Sequence, residues 1–129
     1  MEKLIFVVDD NSTFLTATAA ILEKDFNVLT MSSARTMFSL MEKVKPDLIL
    51  LDVEMPEVTG FDALAKLKEN PQWKHIPVFF ITGWGDRGII DDAMTMGVDE
   101  VLKKTVQPSE LRGVIRKHLN AQPRQDSSQ

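Results

Sequence analysis

The chain has 129 residues, of which 15 are basic and 19 acidic, giving a net charge of −4, and it contains no cysteine. The length fits one domain, and the lack of cysteine excludes disulfides, thiol catalysis and thiolate-bound zinc. The basic residues form no stripe that would follow a phosphate backbone, so we expect no direct binding of nucleic acid. The first apolar run is too short for a signal peptide or a membrane span, and we therefore expect a cytoplasmic protein that does not bind membranes.

Five short apolar runs have the length and composition of buried strands. They span residues 4–8, 26–30, 48–52, 76–81 and 98–102. Between and after these runs, apolar side chains at three-to-four spacing predict five amphipathic helices. Asn11 or Ser12 is suited to cap the first helix, and Ser32 or Ser33 is suited to cap the second.

The apolar stripes of the helices predict where each one ends and which face it buries. The second helix has a stripe that includes Val44 and is expected to end at Pro46, and the fourth has Met94 on its apolar face. Strands and helices that alternate with short connections are typical of an α/β fold built on a doubly wound parallel sheet with right-handed crossovers.

Four of the predicted strands end in a reactive side chain. Asp9 and Asp10 follow the first strand, Asp52 ends the third, Thr82 follows the fourth and Lys104 follows the fifth. Because the carboxyl ends of parallel strands lie at one edge of a sheet, these side chains are expected to meet. Three crowded carboxylates need a cation among them, and an oxygen-only ligand set suits Mg²⁺. With an ammonium and a hydroxyl to receive phosphoryl charge, the pattern predicts a carboxylate nucleophile, Asp52, that forms an aspartyl phosphate.

Four segments, in this order along the chain, resemble the receiver domain of two-component response regulators. They are VVDDN, LILLDVEMPEVTG, PVFFITG and GVDEVLKK, and the resemblance extends over residues 2–120. It implies one receiver domain at residues 1–120, followed at residues 121–129 by a polar tail or the start of a linker. The implied fold is flavodoxin-like: a single five-stranded parallel sheet in the order 2-1-3-4-5, flanked by five helices.

Carried over by position, the resemblance assigns roles to the acidic residues. It implies that Asp52 is the phosphoacceptor. It also implies that Asp10, Asp52 and the backbone carbonyl of Glu54 coordinate Mg²⁺, and that Asp9 acts through a metal-bound water. The side chain of Glu54 is expected to be solvated rather than to orient a water.

The resemblance implies that Thr82 is the family's switch hydroxyl and that Lys104 is its lysine, while two nearby positions depart from the pattern. Val101 stands where receivers usually have an aromatic residue, so the coupling is expected to run through Thr82 and the following loop, or through Trp84 as a mobile ring. Thr105 stands where a proline usually follows the lysine. We expect either a trans bond with a reshaped loop or a strained cis bond there.

The resemblance also implies partners. A sensor histidine kinase or a phosphotransfer protein would supply the phosphoryl group, and the receiver itself would catalyse the transfer. The resulting population shift would change binding to a downstream effector protein or a fused effector domain. We expect no enzymatic activity beyond self-catalysed phosphorylation and dephosphorylation, and a monomer or weak dimer.

Three other functions compete with this interpretation. A flavodoxin-like electron carrier is disfavoured because Asp9 and Asp10 would repel the phosphate of FMN. A phosphatase of the haloacid dehalogenase type would need a second aspartate where Glu54 stands, together with a cap domain. A degenerate receiver that only binds a partner remains possible because of Val101 and Thr105.

We expect no phosphohistidine role for His75 or His118. The seven methionines are expected to serve packing rather than metal binding.

Overall fold

The apolar runs and amphipathic segments form five strands and five helices in the computed structural model, which describes residues 2–83 and 87–121. The strands are β1 (Leu4–Val8), β2 (Asn27–Met31), β3 (Leu48–Asp52), β4 (Val78–Thr82) and β5 (Glu100–Lys103). The helices are α1 (Ser12–Leu22), α2 (Ala34–Met41), α3 (Gly60–Glu69), α4 (Arg87–Thr95) and α5 (Pro108–Ala121). The strands are parallel in the order β2-β1-β3-β4-β5, which confirms the predicted fold and strand order.

The sheet is covered by helices on both faces. Because successive side chains of a strand point to opposite sides, β3 and β4 contribute to two separate apolar clusters. Ile49 and Phe80 belong to the cluster under α2, α3 and α4, whereas Leu50 and Phe79 belong to the cluster under α1 and α5. Burial on both faces explains why these strands are unbroken apolar runs in the sequence.

Side-chain caps fix the starts of the first three helices. Asn11 accepts a hydrogen bond from the backbone N–H of Phe14 at 3.0 Å, and Ser33 accepts one from Thr36 at 3.1 Å, so each cap is one of the two candidates that the sequence offered. Thr59 and Asp62 form a capping box at the start of α3 that we did not predict.

Several predicted boundaries are wrong by a few residues. β2 begins and ends one residue later than predicted, and β4 begins at Val78 because Pro77 has no N–H to donate to the ladder. β5 begins at Glu100 instead of residue 98 and ends one residue later than predicted. Val44 lies beyond α2, which ends at Met41 in a tight turn where Lys43 and Val44 both donate to the carbonyl of Leu40.

The prediction that Met94 lies on the buried face of α4 is also wrong. The residue is 52% exposed, and Ala93 is the buried residue of this helix. Among the described residues, no helix has both the length and the apolar character that crossing a membrane requires. Residues 122–129, most of the predicted tail, lie outside the described part of the chain.

Candidate active site

The register of the sheet brings the predicted strand-end residues to one edge. Asp52 is the last residue of β3, Thr82 is the last of β4, and Thr82 pairs in register with Lys103 of β5. The backbone N–H of Lys104 donates to the carbonyl of Thr82 at 2.8 Å, which fixes the lysine just beyond its strand. Asp9 follows β1 directly. The side chains of Asp9, Asp52 and Lys104 meet as predicted from the parallel topology, and Thr82 ends the neighbouring strand at the same edge.

Three carboxylates form a cluster at this edge. Asp9, Asp10 and Asp52 each offer an oxygen, and the three oxygens lie within 4.8 Å of one another. Asp9 and Asp52 are buried, at 0% and 2% exposure, whereas Asp10 is exposed. An all-oxygen donor set with one member open to solvent fits a hydrated Mg²⁺, which keeps several of its waters.

Lys104 balances part of the negative charge. Its Nζ lies 2.7 Å from Oδ2 of Asp9 and 3.6 Å from Oδ1 of Asp52. Backbone N–H groups also hold the same carboxylates: Asn11 donates to Asp9 at 2.9 Å, and Glu54 donates to Asp52 at 3.4 Å. The carboxylates are therefore held in place by groups on three different loops.

The surroundings of Asp52 favour its neutral form. Burial and the nearby charge of Asp9 raise the pKa of Asp52 from 3.8 to about 7, and the attraction of Lys104 offsets only part of this effect. Burial alone would lower the pKa of Lys104, but its hydrogen bond to Asp9 and the charge of Asp52 outweigh burial and raise that pKa. A cation among the carboxylates would favour the ionised, nucleophilic form of Asp52.

The loop after Asp52 folds back tightly on the end of β3. The backbone N–H of Gly60 donates to the carbonyl of Val53 at 2.8 Å. A Cβ atom at Gly60 would lie 2.5 Å from the carbonyl oxygen of Asp52 and 2.8 Å from Cα of Val53, so only glycine fits there. The sequence did not predict this contact.

The remaining candidate residues differ in burial. Thr82 is fully buried, and Glu54 is exposed. Val101 is partly buried against the cluster under α2, α3 and α4. The described residues contain no cis peptide bond, so the bond between Lys104 and Thr105 is trans, one of the two alternatives that we considered. Trp84 lies outside the described residues.

Neither histidine lies near the carboxylates. The His118 ring packs edge-to-face on Phe79 with centroids 5.3 Å apart, and its Nε2 lies 3.8 Å from Asp99, which precedes β5 at the opposite end of the sheet. His75 is exposed before β4. The sequence did not reveal that Phe14 lies beside Lys104, where the ring centroid lies 4.9 Å from Nζ. No local pattern could have revealed a contact between residues so far apart in the chain.

Comparisons with known proteins agree with this geometry. A family model described as the response regulator receiver domain matches residues 5–116. The response regulator Rre1 of Synechocystis sp. is 31% identical over 120 residues, which are 92% of this chain and 52% of Rre1. The chain thus spans about half of that relative, and it spans 18% of the relative RcaC from Microchaete diplosiphon.

Solved structures show the same fold over almost the whole chain. A CheY-like receiver domain from Methanospirillum hungatei superposes with a TM-score of 0.84 at 25% identity, covering 93% of this chain and 95% of that one. The receiver domain of a signal transduction histidine kinase from Syntrophus aciditrophicus gives a TM-score of 0.86 at 26% identity, covering 98% and 97%.

Proposed function

This chain belongs to the response regulator receiver domain family, and on that premise we propose that it accepts a phosphoryl group on Asp52 in a two-component or phosphorelay signalling system. One observation carries the proposal. A buried carboxylate ends the central strand and lies within reach of two further carboxylates and one ammonium. A nucleophile, a cation site and a group that can pair with phosphoryl oxygens are the parts that phosphoryl transfer requires.

The carboxylates of Asp9, Asp10 and Asp52, with the backbone carbonyl of Glu54, would hold Mg²⁺. When bound, the ion would offset the repulsion among the carboxylates and the charge of the phosphoryl group. An oxygen of Asp52 attacks phosphorus, and the bond to the phosphohistidine nitrogen breaks as the new oxygen–phosphorus bond forms. Lys104 pairs with the phosphoryl oxygens, and the Thr82 hydroxyl donates to them.

We further propose that the phosphoryl donor is a sensor histidine kinase or a phosphotransfer protein, and that the output is altered binding to a downstream effector protein or a fused effector domain. The activity is limited to self-catalysed phosphorylation and hydrolysis in the cytoplasm, without direct binding of nucleic acid or membrane. Because Val101 is not aromatic, the switch runs through Thr82 and the loop that follows it. The domain acts as a monomer or a weak dimer.

The test is the intact mass of the protein after incubation with acetyl phosphate and Mg²⁺. We expect one phosphoryl adduct in the wild type and none in Asp52→Asn or in the presence of EDTA. If the wild type shows no adduct and also binds no Mg²⁺ in calorimetry, the proposal is wrong and the chain is a receiver that only binds partners.

A further inference from the structure

We propose that Phe14 is a positioning residue for Lys104, and that its ring holds the lysine ammonium where the phosphoryl group arrives. The proposal deepens the function proposed above and rests on it. Phe14 lies in the first turn of α1, whereas Lys104 follows β5 at the other end of the chain. The ring and the ammonium nevertheless meet, with 4.9 Å between Nζ and the ring centroid, a distance typical of a cation–π contact.

The ammonium is bounded by three groups. Asp9 lies 2.7 Å from Nζ, Asp52 lies 3.6 Å away, and the Phe14 ring provides an apolar boundary. The Lys104 side chain is 26% exposed, so these three groups leave only part of it to water. The ring therefore acts on a partly desolvated cation, for which cation–π attraction is larger than at an open surface.

The position of the ring is itself fixed. The backbone N–H of Phe14 donates to the Asn11 cap at 3.0 Å, and Leu15 next to it is buried in the cluster under α1 and α5. Phe14 is only partly buried and packs against the outside of the same cluster. Packing alone would be satisfied by any apolar side chain of similar size, whereas the contact with Nζ requires an aromatic face.

A ring is suited to this task because it attracts the cation without taking up its hydrogen-bonding capacity. Lysine carries its charge on a flexible stem of four carbons, and an unrestrained ammonium would lose that freedom each time it paired with a phosphoryl group. Asp9 also restrains the ammonium, but it competes with the phosphoryl oxygens for the same positive charge. The ring does not compete, so it can restrain Lys104 both before and after transfer.

The experiment compares the initial rate of phosphorylation by acetyl phosphate and Mg²⁺ in three variants. Phe14→Leu removes the aromatic face and keeps an apolar side chain, and we expect the rate to fall about 3–10-fold, in line with the usual strength of cation–π contacts. Phe14→Tyr keeps the face and should retain the rate of the wild type. Phe26→Leu removes another ring from the same cluster at the far end of the sheet, and should lower stability without changing the rate.

A second measurement separates positioning from packing. The ring current of Phe14 should shift the ε-methylene signals of Lys104 upfield in NMR spectra of the wild type and of Phe14→Tyr, but not in Phe14→Leu. A wild-type rate in Phe14→Leu, or lysine signals that do not differ between Phe14→Leu and the wild type, would overturn the role of Phe14 and leave the phosphoacceptor function standing. A wild type that takes up no phosphoryl group would instead overturn both.

Discussion

At the scale of single residues, Glu57 adopts a backbone conformation that side-chain-bearing residues rarely adopt. Its φ is +69°, and the backbone N–H of Val58 donates across it to the carbonyl of Pro56 at 2.8 Å. A three-residue turn of this kind is strained for residues other than glycine. The ion pair between Glu57 and Arg35 spans 3.9 Å between side chains that are about four-fifths exposed. It therefore contributes little that would offset the strain.

We therefore expect Glu57→Gly to raise the free energy of unfolding by about 1 kcal/mol, because the relieved strain exceeds the entropy that glycine adds to the unfolded chain. Glu57→Ala is the matched control, since it removes the same ion pair but keeps a Cβ atom. Urea denaturation measures both variants. Equal stability of the glycine and alanine variants would show that the turn is not strained.

The strand-end residues could be predicted from the sequence, whereas other contacts of the site could not. Asp52 and Thr82 were found because unbroken apolar runs stop at them, and this signal is local. The contact of Phe14 with Lys104 depends on how distant segments are placed, so it leaves no local pattern. The positive φ of Glu57 arises in a local turn, but glutamate is not a residue type that indicates such a conformation.

At the scale of secondary-structure elements, the packing of α3 against the end of β3 depends on one glycine. Gly60 is the first residue of α3, and an added Cβ atom would meet the backbone of Asp52 rather than a side chain that can move aside. Apart from its chain neighbours and the backbone of its own helix, Gly113 in α5 has no atom within 4 Å of the corresponding position. Glycine is therefore required at position 60, whereas position 113 has space for a side chain.

Alanine at these two positions should change stability in opposite directions. Gly60→Ala should lower the free energy of unfolding by about 1–3 kcal/mol because the backbone near Asp52 must shift. Gly113→Ala should raise it by about 0.5–1 kcal/mol because alanine favours the helix. Thermal and urea denaturation of the two variants test this, and a Gly60→Ala variant as stable as the wild type would contradict the tight contact.

The bounds of β1 and β3 were predicted without error because charged residues flank their apolar runs. Complete burial alone is not enough, since β4 is also fully buried and its start was predicted two residues too early. The end of α2 was predicted too late because Val44 packs against the core from the turn that follows the helix, so its place in the apolar pattern did not show that the helix continues. The face of α4 was predicted wrongly because Met94 fits the apolar spacing but is exposed.

At the scale of the whole molecule, the buried acidic edge reduces stability. The pKa of Asp52 is about 7 in the folded protein against 3.8 ordinarily, so folding favours the protonated carboxyl. Well below pH 4 the Asp52 carboxyl is protonated in both the folded and the unfolded protein, so it does not change stability with pH. As pH rises from about 4 to about 7, the unfolded chain releases this proton more readily, and the folded state loses stability relative to it.

Asp52→Asn should therefore be more stable than the wild type at pH 8 without divalent metal, by about 1–3 kcal/mol. The value that the pKa change alone gives is an upper limit for this difference, and that pKa already includes the attraction of Lys104. At pH 3, below both pKa values, the two proteins should be equally stable. Urea denaturation in EDTA across this range is the measurement, and a pH-independent difference would show that ionisation of Asp52 is not the cause.

The residues of the site come from strands that are far apart in the sequence, and this has a consequence during translation. The carboxylates come from β1 and β3, whereas the lysine that pairs with them comes two strands and two helices after Asp52. On a ribosome, the first three strands emerge with the acidic groups unbalanced, and contacts between such distant segments form slowly. The site is thus complete only when almost the whole domain has been synthesised, so a nascent chain cut short before β5 carries Asp52 without the lysine that pairs with it.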